Sequence, residues 1–373
     1  MPFISQIQPD TSVATDALPT RRYGTFGLGV VLFSLLSTSC VEHLGEESSA
    51  VGKLERDCVV PVPAGVVQLT APTALEYPDE TLFIWPMLAL TDDSIVPNAV
   101  AHASDAATLC SNGPELVLDE NDQPRSILPL SAAEQDENSA RDDGRHLELV
   151  PVGGLVHDGV GYLFYEPTLF GPGFFDSEKL GTGLCVLDGG DDCERVTLDG
   201  STILFPPTAR ALNQGGFVDH GRALVYGCTH AASFSDPCTL SSAPVDELTD
   251  PTAYRIYNEF DGWLTKPTDA TILFDRPGAL TVSPFDGKFA AVTLDIYSSR
   301  FELQVAPAPT GHFEPPHELF QAVTPDGLFP SGGKEHSGLR GESRTLHVSY
   351  FTDRAGSEYG LHLASFQVFG RPR

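Results

Sequence analysis

Apolar and polar residues alternate with a period of two along most of the chain, and Gly, Pro and Asp break the alternation every few residues. No stretch sustains the 3.6-residue period of an amphipathic helix, so the pattern predicts short strands joined by tight turns. The pattern also repeats. GGLVHDGVGYLFY (Gly153 to Tyr165) and GGFVDHGRALVYG (from Gly215) share a Gly-Gly pair, an apolar-Val step, a His/Asp pair, a Gly and an alternating run with a Tyr. Weaker copies are LEYPDETLFIW (Leu75 to Trp85), GALTVSPFDGKFAAVTLDIY (Gly278 to Tyr297) and HSGLRGESRTLHVSYF (His336 to Phe351). Each is followed by a third run containing small residues: AVAHAS, GTGLCVL, CTLSSAPV, LQVAPAP and GLHLAS. Turn centres fall near residues 79, 158, 220, 286 and 342. Five repeats of about four strands predict an all-β, five-bladed β-propeller of four-stranded antiparallel blades. A β-sandwich would not require the recurring order of strand, turn, strand and small-residue run.

A His/Asp pair could be a catalytic dyad, but this one recurs where each repeat turns. His157-Asp158-Gly159, Asp219-His220-Gly221 and Asp286-Gly287 carry residues that tolerate the positive φ of tight hairpins. They read as turns.

The ends and the cysteines place the chain in a compartment. Arg21 and Arg22 precede YGTFGLGVVLFSLLSTSC, an uncharged apolar segment, shorter than the ~20 residues of a membrane-spanning helix and shaped like an export signal. Its end, Leu36-Ser37-Thr38-Ser39-Cys40, resembles the bacterial lipobox, which implies cleavage before a lipidated Cys40. The expected organisation is a signal peptide over 1–39, a flexible tether over 40–57 and one propeller over 58–373, with an acidic insertion near 111–146 read as a solvated loop. Val41, where an Asp would favour inner-membrane retention, points to the outer membrane. With Cys40 set aside, an even number of cysteines in an exported chain predicts disulfides. Cys185–Cys193 and Cys228–Cys238 pair locally, leaving Cys58–Cys110. No CxxC spacing supports a zinc site, and neither a metal nor a cofactor is expected.

The formal charge of −29, from 51 acidic against 22 basic residues, repels phosphates and anionic lipid headgroups. Nucleic acid is excluded as a partner, any membrane attachment must come from the lipid, and a monomer is expected.

Candidate chemistry follows from the face opposite the turns, where propellers bind ligands around the channel mouth. Ends of second strands nominate Trp85, Glu166, His230, Asp295, Tyr297, Tyr350 and Asp353; starts of first strands nominate Arg210, Asn213, Asp275, Arg276, Glu335 and His336. Paired carboxylates can cleave a glycosidic bond, while aromatic rings and Arg or His can hold a sugar. Glu335, Glu166 and Asp295 are the catalytic candidates; His336, Arg210, Trp85, Tyr297, Asp353 and His230 are the ligand-binding ones.

VPNAVAHASD, VHDGVGYLFY, DHGRALVYG, SSAPVDELTDPTAYRIY, LQVAPAPTGHFEPPHELF and the closing EHSGLRGESRTLHVSYFTD with YGLHLASFQV resemble an exported bacterial propeller family that includes endo-D-arabinanases, over about Pro72 to Phe369. In architecture that family is similar to arabinanase and xylosidase propellers. The resemblance implies a propeller that binds or cleaves a glycan. Glu335-His336 matches the family's His-bearing start of the last blade, whereas Phe83-Ile84-Trp85-Pro86 stands where active members carry an acidic motif. Glycan recognition through the channel mouth is therefore the leading expectation. Arabinanase-like hydrolysis and a protein-interaction scaffold at the outer membrane are the alternatives.

Overall fold

The computed structural model describes residues 52–69, 71–92, 94–173, 176–188, 192–207, 211–229, 236–275, 278–322, 324, 329–340, 344–352 and 360–368. The leader, Cys40, Arg210, His230, Arg276 and Asp353 lie outside them.

Five antiparallel sheets form the five blades. Blade 1 runs outward from Thr73–Glu76 through Thr81–Leu90 and Ile95–Ala103 to Glu115–Leu116. Blade 2 is His146–His157, Val160–Phe170, Gly183–Asp188 and Glu194–Arg195; blade 3 is Gly215–Asp219, Arg222–Cys228, Pro237–Pro244 and Arg255–Asn258, extended by Gly262–Leu264. Blade 4 is Leu280–Phe285, Lys288–Asp295, Arg300–Ala306 and His317–Gln321. In blade 5, Pro330–Glu335, Thr345–Thr352 and Gly360–Val368 receive their outer strand, Gly52–Val59, from the beginning of the described chain.

That outer strand corrects the tether, which was expected to reach Asp57. Gly52–Val59 has the burial of an edge strand, with one side facing solvent, and so its sequence GKLERDCV reads as polar although it pairs with Gly360–Val368 on both sides of a bulge at Glu55. The disulfide Cys58–Cys110 joins this strand to the helix Ala106–Asn112 beside blade 1. It therefore staples the seam between the last and first blades. Cys185–Cys193 and Cys228–Cys238 also form, as expected.

The hairpin tips are turns. Asp158, His220 and Asp286 have φ of 49°, 49° and 51°, and each is followed by a Gly with φ of 80°, 72° and 70°. Two successive positive φ values define the type I′ hairpin, whose twist matches that of the strands it joins.

The cores lie between blades because a second or third strand is covered on both faces. Phe83 and Trp85 pack with Leu361 and Leu363 at the seam, and Phe301, Val348, Tyr350 and Phe366 fill the space between blades 4 and 5. Each such fully buried side chain contributes about 1.5–3 kcal/mol. The insertion near 111–146 is only in part the solvated loop expected. Its Glu115–Leu116 is the outer strand of blade 1, and Ile127 and Leu128 are 2% and 1% exposed in the core shared with blade 2. A capping box between Ser131 and Glu134 starts the helix Ala132–Ala140, and Arg195 of blade 2 grips Glu134 at 2.8 and 2.9 Å. The acidic residues cover the outside of a clasp between two blades.

Candidate functional site

The structure does not bring the three catalytic candidates together. Glu335 ends the inner strand Pro330–Glu335 and so sits at the turn end of blade 5, not at the start of its first strand. The Gly-rich run that suggested an entry to the strand is the strand itself, irregular between Ser331 and Lys334. Glu166 is buried in the second strand of blade 2, and Lys179 Nζ lies 2.6 Å from its carboxylate. Asp295 ends the second strand of blade 4, where it accepts from Tyr297 N at 3.0 Å and Ser298 Oγ at 2.7 Å. Those bonds make it the organiser of its own turn. Trp85 is 0% exposed and belongs to the core between blades 1 and 5, so its ring offers no face to a sugar. Tyr350 is equally buried and donates to Asp57 Oδ2 at 2.6 Å. Of the described ligand-binding candidates, Tyr297 alone is open. It is 51% exposed and meets the exposed Phe329 edge to face at 6.2 Å.

At the turn end, Glu335 is the centre of a sealed polar cluster. Its Oε1 accepts from Arg340 Nε at 2.6 Å and its Oε2 from Ser283 Oγ of blade 4 at 2.9 Å. Arg340 also donates to Pro284 O at 2.6 Å and lies 5.0 Å above the Phe285 ring. Burial raises the Glu335 carboxyl and the Glu76 charge adds to that, while Arg340 and Ser283 oppose it. On the other side, Glu76 of blade 1 accepts from Ser337 Oγ and from Gly338 N, the latter at 2.8 Å. Burial raises the Glu76 carboxyl, but His336, Ser337 and Gly338 outweigh it and hold it below the ordinary range. His336 Nε2 is 2.7 Å from Ser349 Oγ and its Nδ1 is 3.7 Å from Glu76 Oε1.

Glu76, His336 and Ser349 thus stand in the order carboxylate, imidazole, hydroxyl that activates a nucleophile. Ser349 is 1% exposed and His336 is 0% exposed. No substrate carbonyl can reach that oxygen, so the row acts as a lock between blades 5 and 1. The turn residues Ser337–Arg340 are therefore pinned to blade 1 by Glu76 and to blade 4 through Arg340.

Beside the lock, the turn face opens into a cavity of about 790 Å³ between blades 3, 4 and 5. Its walls are the two type I′ tips, Asp219-His220 and Phe285-Asp286-Gly287, with Lys288, Phe289, Pro307 to Pro309, Arg340 and Arg344. Arg344 Nη2 grips Asp286 at 2.9 and 3.1 Å, and His220 Nδ1 lies 2.8 Å from Asp219 Oδ1. Phe217 stacks on Phe289 at 5.4 Å and 26°, which fixes that ring, and Tyr226 donates to Pro309 O at 2.5 Å, which fixes the proline wall. Flat apolar surfaces alternate here with charged hydrogen-bonding groups, at a volume ordinary for ligand sites. Reading from the sequence missed this cavity because its parts are turn tips from three blades. The available signal was the basic residue after each of them, Arg222 after His220-Gly221, Lys288 after Asp286-Gly287 and Arg344 after the fifth turn.

The fold recurs among solved structures. A candidate hydrolase from Bacteroides ovatus matches with a TM-score of 0.55 at 11% identity, over 80% of this chain and 86% of its own. A family 117 glycoside hydrolase from Zobellia galactanivorans gives 0.46 at 11% identity, over 84% and 88% of the two chains. A GH43 protein from Bacillus licheniformis gives 0.48 at 16%, over 84% of this chain and 56% of that one. No protein-family model and no curated protein sequence matches the chain. What the chain shares with the Bacteroides ovatus protein is the fold.

Proposed function

We propose that this chain is an exported, lipid-anchored β-propeller that recognises a glycan, and that it does so in the cavity on the turn face. The cavity carries the reading. Phe289 and the Pro307 to Pro309 wall supply flat faces for a sugar ring, and Asp219, His220, Lys288 and the Asp286–Arg344 pair supply donors and acceptors for its hydroxyls. Three disulfides agree with an oxidising compartment outside the cytoplasm, and Cys40 would hold the propeller at the outer membrane. Recognition is favoured over hydrolysis because each described catalytic candidate is already engaged: Glu335 with Arg340, Glu166 with Lys179 and Asp295 with its own turn. Neither a free acid nor a free base is left among them for the two-carboxylate chemistry of glycosidases.

The test is retention on a panel of neutral and acidic polysaccharides, with soluble products measured in the same tubes. The wild-type chain should be retained by at least one polymer without releasing product. Phe289→Ala should weaken that retention about tenfold, the share of an aromatic platform. Absence of retention on every polymer would sink the reading, and product release would replace it with the hydrolase.

A further inference from the structure

A second feature lies on the propeller axis, away from the turn-face cavity, and does not depend on it. Lys334 extends from the inner strand of blade 5, and its Nζ donates to Val152 O of blade 2 at 3.3 Å. Blades 5 and 2 are not neighbours in the ring; both flank blade 1. A side chain joining them must cross the central channel. Val152 lies at the irregular point of blade 2's inner strand, next to Pro151, whose carbonyl accepts from Thr73 Oγ1 of blade 1 at 3.1 Å. Thr73 begins the inner strand of blade 1 and Val152 is midway along that of blade 2, so the ammonium sits within the channel rather than at the hairpin tips.

An ammonium has three N–H donors, and among the described residues one acceptor, Val152 O, serves them. Among the described residues no carboxylate pairs with Lys334. Its pKa is pushed down to about 8 by burial, with no neighbouring charge acting on it. At neutral pH it is still mostly protonated. An uncompensated cation enclosed by protein is costly, and it is conspicuous in a chain whose net charge is −29. Part of its surface remains open to solvent, so a ligand can approach it. We propose that Lys334 makes the central channel an anion site, which takes an oxyanion, either the carboxylate of an acidic sugar or a free inorganic ion, against its remaining N–H groups.

The experiment uses the full chain, exported so that its disulfides form, and follows its thermal midpoint at pH 7 and constant ionic strength. The probes are galacturonate, phosphate, sulfate and chloride. One or more of the oxyanions should raise the midpoint of the wild type by several degrees over chloride, and Lys334→Met should abolish that increment. Galacturonate acting alone would assign the site to a sugar carboxylate, and phosphate or sulfate acting alone to an inorganic ion. A second measurement covers a variant that fails to fold: acylation of Lys334 at pH 8.5, mapped by peptide mass, should slow at least fivefold when the effective anion is present. An increment that survives in Lys334→Met, no increment from any oxyanion, or an acylation rate indifferent to the anion would each overturn the proposal.

Discussion

Glu335 is the residue on which the two accounts of this protein part company, and Arg340→Met separates them. If Glu335 is half of a structural clasp, removing its cation leaves a buried carboxylate with Ser283 as its remaining partner at 2.9 Å. The side chains of Arg340 and Glu335 are 8% and 0% exposed, which puts the pair in the buried class. There the loss of one partner costs about 3–5 kcal/mol, several times the worth of a surface ion pair. Pro284 O also loses its donor at 2.6 Å. At about 2 °C per kcal/mol, the low end for a large domain, the midpoint should fall by ~6–10 °C. The mechanism makes a second demand. Glu335→Leu with Arg340→Met removes both charges together, and apolar replacement of a whole buried pair is often close to neutral. The double variant should therefore recover most of what the single variants lose.

Urea unfolding of the four proteins gives the cycle directly. A cost below about 1 kcal/mol for Arg340→Met would place the pair with solvent-screened surface bridges and refute the clasp. A double variant as weak as the sum of the singles would refute the pairing argument even if each single cost were large.

Three further outcomes are expected. Without added oxyanion, Lys334→Met should be more stable than wild type at pH 7 by on the order of 2 kcal/mol. Lys334 has a folded pKa lowered to about 8 from 10.5, so the unfolded chain binds more protons between those values and wild-type stability rises there. The advantage of the variant should shrink across that window in urea titrations at several pH values, and an advantage constant with pH would count against the buried cation. Asp286→Val puts a β-branched residue at φ 51° and should cost about 1–2 kcal/mol, whereas Asp286→Gly should stay within a few tenths, both read by thermal melts. Replacing Cys58 and Cys110 by Ser opens a loop of 52 residues. It should lower stability by about 4 kcal/mol on the chain-entropy account and speed amide exchange first in Gly52–Val59.

The sequence made the architecture legible because a propeller writes its blade pattern five times. The His/Asp-Gly tips could be recognised as turns since Asp158, His220 and Asp286 each precede a Gly, and all three pairs do adopt positive φ. Two disulfides followed from spacing and Cys58–Cys110 by elimination. Edges were harder. Residues 52–57 read as a tether because an edge strand shows its polar face to water, and Ile127 and Leu128 were hidden inside an acidic run. Glu335 was placed on the wrong face for a related reason. Gly332 and Gly333 look like an approach to a strand, yet they lie within it, with Gly332 at φ 64°, so the count of residues from strand start to turn end was short by one strand.

That misplacement has a functional consequence. A carboxylate at the channel mouth can meet a substrate, and a carboxylate at a blade junction holds blades together. Sequence cannot distinguish the two, since both need an acid next to a Gly-rich strand; what distinguishes them is the partner, and Arg340 comes from the turn that follows. Once Glu335 and Glu76 are spent on pinning Ser337–Arg340 between blades 1 and 4, the turn face becomes the rigid side of the molecule. A cavity walled by type I′ tips and a pinned arginine needs little ordering on binding, which favours recognition of a flexible chain such as a glycan. The opposite mouth offers the exposed Tyr297–Phe329 pair, and the channel between holds the cation Lys334. Two sites of different chemistry, one on the turn face and one in the channel, would let the propeller read a polymer by its sugar faces at the first and by its charge at the second.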